Sequence, residues 1–429
     1  MLGGFQGPFL FALVTLLYMQ RSYAFVIPRY VSSMGGAESL CAALGRALVA
    51  DGCAVTILTT CAADNRSWAN ELPAGPFNED GLSGIRFPVD DRNLDRWIPL
   101  QIRLSQGEEL DIDEQLDWLL HSVISRDLFA HIASYGLSFD ALFFAPYLFG
   151  TTFWGSQIYQ ERSILIPCLH DEAAAYLPVM RAMLRTVRGI IFNAPAERVL
   201  AERLHGSLAG GIVGMGFDQV PEDVENKLQS FFAPDERYIL YLGRKETGKN
   251  AHVLIDYFCA WKDNSSEAAP VKLVICGGGS FTDLHRPQAA ERDDIIDLAH
   301  VSEHDKLRII KNALVLVQPS TNESFSIVLM EAWRLGVPVV VHGLCSVTKE
   351  HVEHSGGGLF FSDLDDFIGV MNRIISDAPL REVMGRAGKQ YVAQEYSWPV
   401  VLKRFYSVVD QIFAERETRK GELDEPYQL

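Results

Sequence analysis

Tyr23-Ala-Phe-Val-Ile-Pro28, a turn at Gly35-Gly36, a helical pattern over 37–51 and Ala54-Val-Thr-Ile-Leu-Thr59 decide the fold class. In order they read as strand, glycine turn, amphipathic helix and strand. Two strands joined through a helix form a βαβ unit, whose strands lie parallel in one sheet. Outward from this unit, apolar runs predict strands at 141–145, 163–169 and 189–193, with helical patterns between them. The interval 65–126 is charged, carries Pro73, Pro76, Pro88 and Pro99, and reads as loops plus a helix over 114–129. Gly210-Gly-Ile-Val-Gly-Met-Gly-Phe-Asp218 is glycine-rich, and 221–234 is polar with a helical middle, so this stretch reads as a link. A second βα series opens at Tyr238-Ile-Leu-Tyr-Leu242 and continues with strands at 271–276, 295–298, 313–318 and 337–342. The expected fold class is α/β, with two Rossmann-like doubly wound domains in tandem across a cleft. In such sheets ligands bind beyond the strand C-termini, where the strand order reverses.

The bulk numbers agree. A chain of 429 residues exceeds what one core usually supports. The expected boundaries are an apolar extension over 1–21, an N-terminal Rossmann-like domain over 22–218 that also takes a helix over 400–415, a C-terminal Rossmann-like domain over 219–399 and a polar tail over 416–429. At 48% hydrophobic and 22% charged, the composition is globular. A formal net charge of −17 argues against general nucleic-acid binding but leaves room for a local basic cleft. The cysteines at 41, 53, 61, 168, 259, 276 and 345 are scattered and hold no C-x-x-C pair. They read as reduced core residues of a cytosolic protein. The apolar run over 8–19 is short for a bilayer span and lacks a basic flank and a small-residue cleavage site. It reads as a loose extension or an upstream start, with a shallow membrane anchor as the alternative.

The segment richest in chemistry is Gln318-Pro-Ser-Thr-Asn-Glu-Ser-Phe-Ser-Ile-Val-Leu-Met-Glu-Ala332. A strand ends near Gln318, and a helix is expected to start near Ser324 to Ser326, with serine as N-cap. The amides of Phe325, Ser326 and Ile327 would then face a ligand from the positive end of the helix dipole, which suits a phosphate. Glu331 lies inside the helix, where it can accept bonds from ribose hydroxyls. Glu323, in the loop, can reach hydroxyls of a sugar. Two glutamates at this spacing also occur by chance on solvated helix faces; the strand–loop–helix setting favours a site. In Leu240-Tyr-Leu-Gly-Arg-Lys-Glu-Thr-Gly-Lys-Asn250, Arg244 and Lys249 leave a strand end. Two cations there fit a diphosphate leaving group, although an exposed basic loop is the commoner meaning of such a run. Gly277-Gly-Gly279 follows a strand and lets a nucleotide approach the backbone. Gly35 and Gly36 open a helix that can meet the same diphosphate. His170 follows the 163–169 strand, where a polar contact to a sugar competes with an ordinary structural histidine.

Taken in order, these motifs resemble the retaining glycosyltransferases of family four, group 1, which have the GT-B architecture. The resemblance runs through Gly35-Gly-Ala-Glu38, His170, Arg244 with Lys249, Gly277 and the E-x7-E pair Glu323 and Glu331, and covers about 23–406. Tyr396-Ser-Trp398 and a helix over 400–413 resemble the family's closing helix. The resemblance implies that Arg244 and Lys249 bind the donor diphosphate, Glu331 the ribose, Glu323 and His170 the transferred sugar, and that Val301 sits near the base. It further implies a nucleotide-sugar co-substrate, no metal or other cofactor, and retention by front-face attack. A glycan or lipid-linked acceptor follows on the same ground, with a cytoplasmic location and, as in many members, contact with the inner membrane face. One departure is Asn250, where the family often has glycine.

Three other readings remain. A sugar-nucleotide epimerase or isomerase would share fold and donor site. A NAD-dependent oxidoreductase would want G-x-G-x-x-G after the first strand and an acidic residue closing the second, which ends here at Thr59-Thr60. A non-catalytic binding protein would not need the cation pair and both glutamates. Asp111-Ile-Asp113 has the spacing of a metal-binding DxD, but it lies in a charged, helical stretch.

Overall fold

The structure, a computed structural model, describes residues 20–31, 35–233 and 235–423. Most of the N-terminal apolar extension and the last six residues of the polar tail lie outside the described residues. The chain divides into two compact units, residues 1–165 with 186–188, and residues 166–185 with 189–429.

The first unit contains β1 (Ser22–Val26), α1 (Gly36–Ala50), β2 (Ala54–Thr60), β3 (Gly75–Glu79), β4 (Leu82–Phe87), α2 (Leu94–Ser105), α3 (Ile112–Leu120), α4 (Arg126–Tyr135), β5 (Ala141–Phe144), α5 (Gly150–Ser156) and β6 (Ser163–Leu165). Its strands run in the order β3-β4-β2-β1-β5-β6. All neighbours are parallel except the β3–β4 hairpin at the edge. The order reverses between β1 and β5, so the βαβ reading of residues 23–59 holds. The interval 65–126 is richer than expected. It carries the hairpin and two helices, and α2 runs through Pro99. The expected helix over 114–129 is two helices, separated where Ser125 caps α4 by accepting the Leu128 N–H. The predicted strand over 163–169 stops at Leu165.

The second unit contains α6 (Pro178–Thr186), β7 (Gly189–Phe192), α7 (Pro195–His205), β8 (Gly210–Ile212), α8 (Glu222–Glu225), β9 (Arg237–Leu242), α9 (Ala251–Asn264), β10 (Val271–Cys276), β11 (Ile295–Leu298), α10 (Glu303–Lys311), β12 (Val315–Gln318), α11 (Ile327–Arg334), β13 (Val339–His342), α12 (Ser346–Ser355), β14 (Gly358–Phe361), α13 (Leu364–Ser376), α14 (Ala378–Glu395) and α15 (Trp398–Leu423). The six-stranded sheet has the order β11-β10-β9-β12-β13-β14, parallel throughout. Numbered from β9, that is 3-2-1-4-5-6, the doubly wound dinucleotide-binding order, with its reversal between β9 and β12. The strands are near-continuous apolar runs because both faces are covered. Ile239, Tyr241, Leu273 and Ile275 pack with Phe258 and Trp261 of α9 in one core. Each such side chain contributes roughly 1.5–3 kcal/mol on leaving water.

The helix expected over 400–415 falls within α15. It lies so close to β7 and β8 that a Cβ at Gly189 would stand 2.7 Å from Ile412, and one at Gly211 2.6 Å from Val408. Among the described residues no helix is long and apolar enough to cross a membrane. All seven cysteines are free thiols, and all but Cys259 are buried.

Candidate active site

The site is built at the reversal point of the second unit's sheet. Beyond β9, the Gly243 N–H still donates to Cys276 O at 2.9 Å, so the ends of β9 and β10 stay zipped. Gly277 has φ 143°, and a Cβ there would stand 2.1 Å from the Gly243 carbonyl. Glycine is therefore required by the crossing of the two turns, before any ligand is considered. The Tyr241 hydroxyl donates to Arg244 O at 2.9 Å, and burial pushes it up, which keeps it a donor. The Arg244 guanidinium is half exposed and lies 2.8 Å from Glu246 Oε1.

Lys245 turns the opposite way. Its side chain is fully buried, and its ammonium donates to Gly277 O at 2.5 Å and to Asp297 Oδ1 at 2.8 Å. One lysine thus ties the C-terminal ends of β9, β10 and β11. Of the three cations in the run, Lys245 is the internal one, Arg244 is half exposed and Lys249 turns toward the next loop.

Lys249 joins this loop to the next. Its Nζ donates to Glu323 Oε1 at 2.8 Å, and Gln318 Nε2 reaches the same oxygen at 3.4 Å. Asn250 Nδ2 donates to Pro319 O at 3.2 Å. The motifs at 244–250 and 318–331, far apart in sequence, meet across the reversal between β9 and β12.

The helix start differs from expectation. α11 begins at Ile327, and Ser326 is its N-cap in left-handed geometry, φ 68° and ψ 78°, with no capping bond from its side chain. That backbone turns the Oγ away from the first-turn amides a serine cap would bond. Ser326 Oγ and Gln318 Oε1 are both buried without a hydrogen-bond partner. Native proteins rarely leave such atoms unpaired, so a polar ligand at this loop is chemically apt. Phe325 anchors the turn. It stacks on Phe217 with centroids 6.3 Å apart and meets Tyr396 and His351 edge-on at 5.2 and 5.5 Å. Of the expected amide donors at Phe325, Ser326 and Ile327, the last two stand at the N-terminus of an eight-residue helix, where the early amides lack intrahelical acceptors. Ser324 lies in the loop before them.

Glu331 is the fifth residue of α11. Its Oε1 accepts from Lys306 of α10 at 2.9 Å, and Lys306 also donates to Glu303 at 2.8 Å. Burial would lower the Lys306 ammonium, but Glu331 and Glu303 outweigh it and hold it above the usual lysine range. Val301 lies between β11 and α10, where Ser302 caps the helix by accepting the Asp305 N–H at 3.1 Å. A Cβ at Gly278 would stand 3.3 Å from the His300 ring.

His170 is also in the second unit, partly exposed, with Nδ1 3.6 Å from Glu172 Oε1. Gly35 and Gly36 are in the first. There the Gly35 N–H donates to Glu38 Oε2 at 2.8 Å, and Glu38 is itself held by Arg29 at 3.0 Å in a buried pair. The Gly35 amide is thus already engaged, while a Cβ at Gly36 would meet nothing within 4 Å. Asp111, of the DxD spacing, caps α3 reciprocally with Glu114. Among the described residues no group of three or more His, Cys, Asp or Glu could hold a metal ion.

The family model for glycosyl transferases group 1 matches residues 223–391, which span the whole six-stranded sheet and the bridge between Lys249 and Glu323. Residues 223–391 are a group 1 glycosyltransferase domain. Two curated relatives are named glycosyltransferases. The chain is 29% identical over 227 residues to an uncharacterized glycosyltransferase of Methanocaldococcus jannaschii, covering 51% of this chain and 55% of the relative. It is 31% identical over 203 residues to a D-inositol 3-phosphate glycosyltransferase of Salinispora tropica, covering 44% and 42%. The chain therefore spans about half the length of the curated relatives it matches. Among solved structures, the sucrose-phosphate synthase of Thermosynechococcus elongatus superposes with a TM-score of 0.68 at 18% identity, over 92% of this chain and all of that one. The fold is thus GT-B, and the group 1 domain supplies its second sheet.

Sequence reasoning missed three residues that bond to or neighbour the expected site residues. Lys306 is the partner of Glu331 but comes from a helix 25 positions earlier, and nothing local marks it. Lys245 was visible in the run, yet only its direction separates it from Arg244. Glu197, in α7, bonds the amide just before His170 from 28 residues away.

Proposed function

We propose that the chain is a retaining, metal-independent glycosyltransferase that moves a sugar from a nucleotide-diphosphate donor to an acceptor hydroxyl. The observation that carries this reading is the Lys249–Glu323 contact, which joins a strand-end cation to a loop carboxylate that Gln318 also reaches, and Gln318 keeps an unpaired, buried Oε1. Arg244, Lys249 and the Ser326 and Ile327 amides would hold the diphosphate. They would stabilise the charge that grows on its oxygen as the glycosidic bond lengthens. Glu331 would accept from the ribose hydroxyls, Val301 would lie against the base, and Glu323 and His170 would orient the transferred sugar. The anomeric carbon–oxygen bond to the β-phosphate breaks, and the acceptor oxygen bonds to the same face. The acceptor proton passes to the leaving phosphate oxygen, giving a glycosylated acceptor and a nucleoside diphosphate. Positioning and charge stabilisation supply the rate. A glycan or lipid-linked precursor is the proposed acceptor, taken by the N-terminal region, and a lipid-linked one would bring the chain to the cytoplasmic face of a membrane.

A melting-temperature screen against nucleotide sugars tests the donor, since a ligand that binds only the folded state raises the transition. Glu323→Ala is expected to abolish transfer in a folded protein. Arg244→Ala is expected to weaken donor and free nucleoside diphosphate together by about 10–100-fold, the loss of a charge-assisted bond. Wild-type turnover by the first variant, or unchanged affinities in the second, would refute these roles. Conversion of the nucleotide sugar with no acceptor product would instead identify an epimerase.

A further inference from the structure

Glu197 is a buried acid with no ion-pair partner among the described residues, and one of its bonds reaches the segment that carries His170. α7 starts behind Ala194, a residue with no side chain able to cap it. Glu197, in its first turn, folds back instead. Its Oε2 accepts the Asn193 N–H at 2.5 Å, and its Oε1 accepts the Leu169 N–H at 2.6 Å. The residue is 1% exposed. The first bond ties the helix's first turn to Asn193, the residue before the Ala194 N-cap. The second reaches 28 residues back, to the residue immediately before His170. Capping the helix does not need that reach.

The same five-residue stretch grips the turn a second time. Asn193 Nδ2 donates to Cys168 Sγ at 3.5 Å, and Cys168 holds a left-handed backbone at φ 52°. A non-glycine residue keeps such a conformation only when its surroundings enforce it. Glu197 and Asn193 supply that enforcement on either side of the peptide that leads into His170. The N-terminus of α7 is held in turn from α12, whose Glu350 accepts the Ala196 N–H at 2.9 Å. Burying an unpaired carboxyl is costly, and backbone amides that aim at both oxygens offset that cost.

We infer that Glu197 is a positioning residue for His170. It acts through the Leu169 amide and touches no substrate itself. The inference rests on the proposed role of His170 in transfer, and the test separates the two. Glu197→Gln keeps the shape but turns an NH2 group toward backbone N–H donors that a carboxyl oxygen accepts from, so at least one of these bonds is lost. The variant is expected to fold and to bind free nucleoside diphosphate within about twofold of wild type. Its kcat is expected to fall about 10–100-fold, because only the placement of the imidazole changes. His170→Ala should lose at least as much. The double variant should be no worse than His170→Ala alone, since two residues acting as one unit are not additive.

A wild-type kcat for Glu197→Gln overturns the inference. So does a double variant that multiplies the two losses, or a nucleotide affinity that falls in step with kcat. Full activity in His170→Ala sinks the role of His170 instead. Should Glu197→Gln fail to fold, Asn193→Ala carries the same test. It removes the bond to Cys168 and leaves the carboxyl in place, and the same loss in kcat alone is expected.

Discussion

The backbone of Asn250 sits at φ 53° and ψ 25°, left-handed, between Lys249 and the first turn of α9. Glycine enters that region without strain, and asparagine is among the few other residues that visit it. This accounts for Asn250 where the resembling family often carries glycine: the loop keeps its conformation, and the amide side chain adds a bond to Pro319 O. Asn250→Gly should preserve nucleoside diphosphate affinity. Asn250→Val should cost about 1–2 kcal/mol in stability, the penalty of a β-branched residue in left-handed geometry. It should also weaken the diphosphate, because Lys249 would shift with it. Melting and calorimetric titration of both variants check this, and equal behaviour of valine and glycine would count against it. Lys306 gives a second residue-scale test. It is the one protein group bonded to the Glu331 carboxylate among the described residues. Lys306→Met should loosen that carboxylate and lower nucleotide affinity by about tenfold, the worth of one charge-assisted bond. The loss should shrink for a 2′,3′-dideoxy nucleotide, which offers Glu331 nothing to hold.

Among elements, α11 is fixed by the closeness of α14. A Cβ at Gly388 would stand 2.1 Å from Trp333 Cδ1, and one at Gly385 1.9 Å from the Gly336 carbonyl. Trp333 is fully buried, and its indole N–H donates to Gly357 O at 2.9 Å, so it has nowhere to retreat. Gly388→Ala should therefore push α11 outward and cost about 1–3 kcal/mol by overpacking. Melting would register the loss. Nucleotide affinity should fall with it, because α11 carries Glu331 and the Ile327 amide; an unchanged affinity would mean that the helix start does not contribute. The sequence made these elements unequally legible. β9, β10 and β12 were plain because strands covered on both faces are unbroken apolar runs. β14, an edge strand with an exposed middle, and the edge strand Gly75-Pro-Phe-Asn-Glu79, with one large apolar side chain, offered no such pattern. Of the candidate site, Arg244, Lys249, Glu323 and Glu331 stand out in the sequence because each follows a strand end or lies in the helix after one. Lys306 and Glu197 could not. Their meaning lies in partners 25 and 28 residues away, and local spacing is blind to that.

At the scale of the whole molecule, stability against pH is set in part by two buried groups that pull in opposite directions. His351 is encased by Phe325, Tyr391 and Tyr396, its Nδ1 3.0 Å from the Tyr391 hydroxyl, and burial with the nearby His354 pushes it down to about 3. The unfolded chain protonates this imidazole near its ordinary value, so the stability from keeping it neutral is present above that value. It is lost as pH falls toward about 3. Burial instead pushes Glu197 up to about 8, against the amides of Asn193, Leu169 and Ala194. Here the folded state binds the proton more tightly than the unfolded one. Its contribution is therefore complete below the ordinary carboxyl range and is lost as pH rises through about 8. Between pH ~7 and ~5 each group alone changes stability by roughly 2 kcal/mol, with opposite sign, so together they nearly cancel. Removing either should expose the other. On acidification over that range, the melting temperature of Glu197→Gln should fall further than that of wild type. That of His351→Gln should fall less, or rise. Melting curves at matched ionic strength test the pair directly, and parallel pH profiles for wild type and both variants would show that neither group titrates differently in the folded protein.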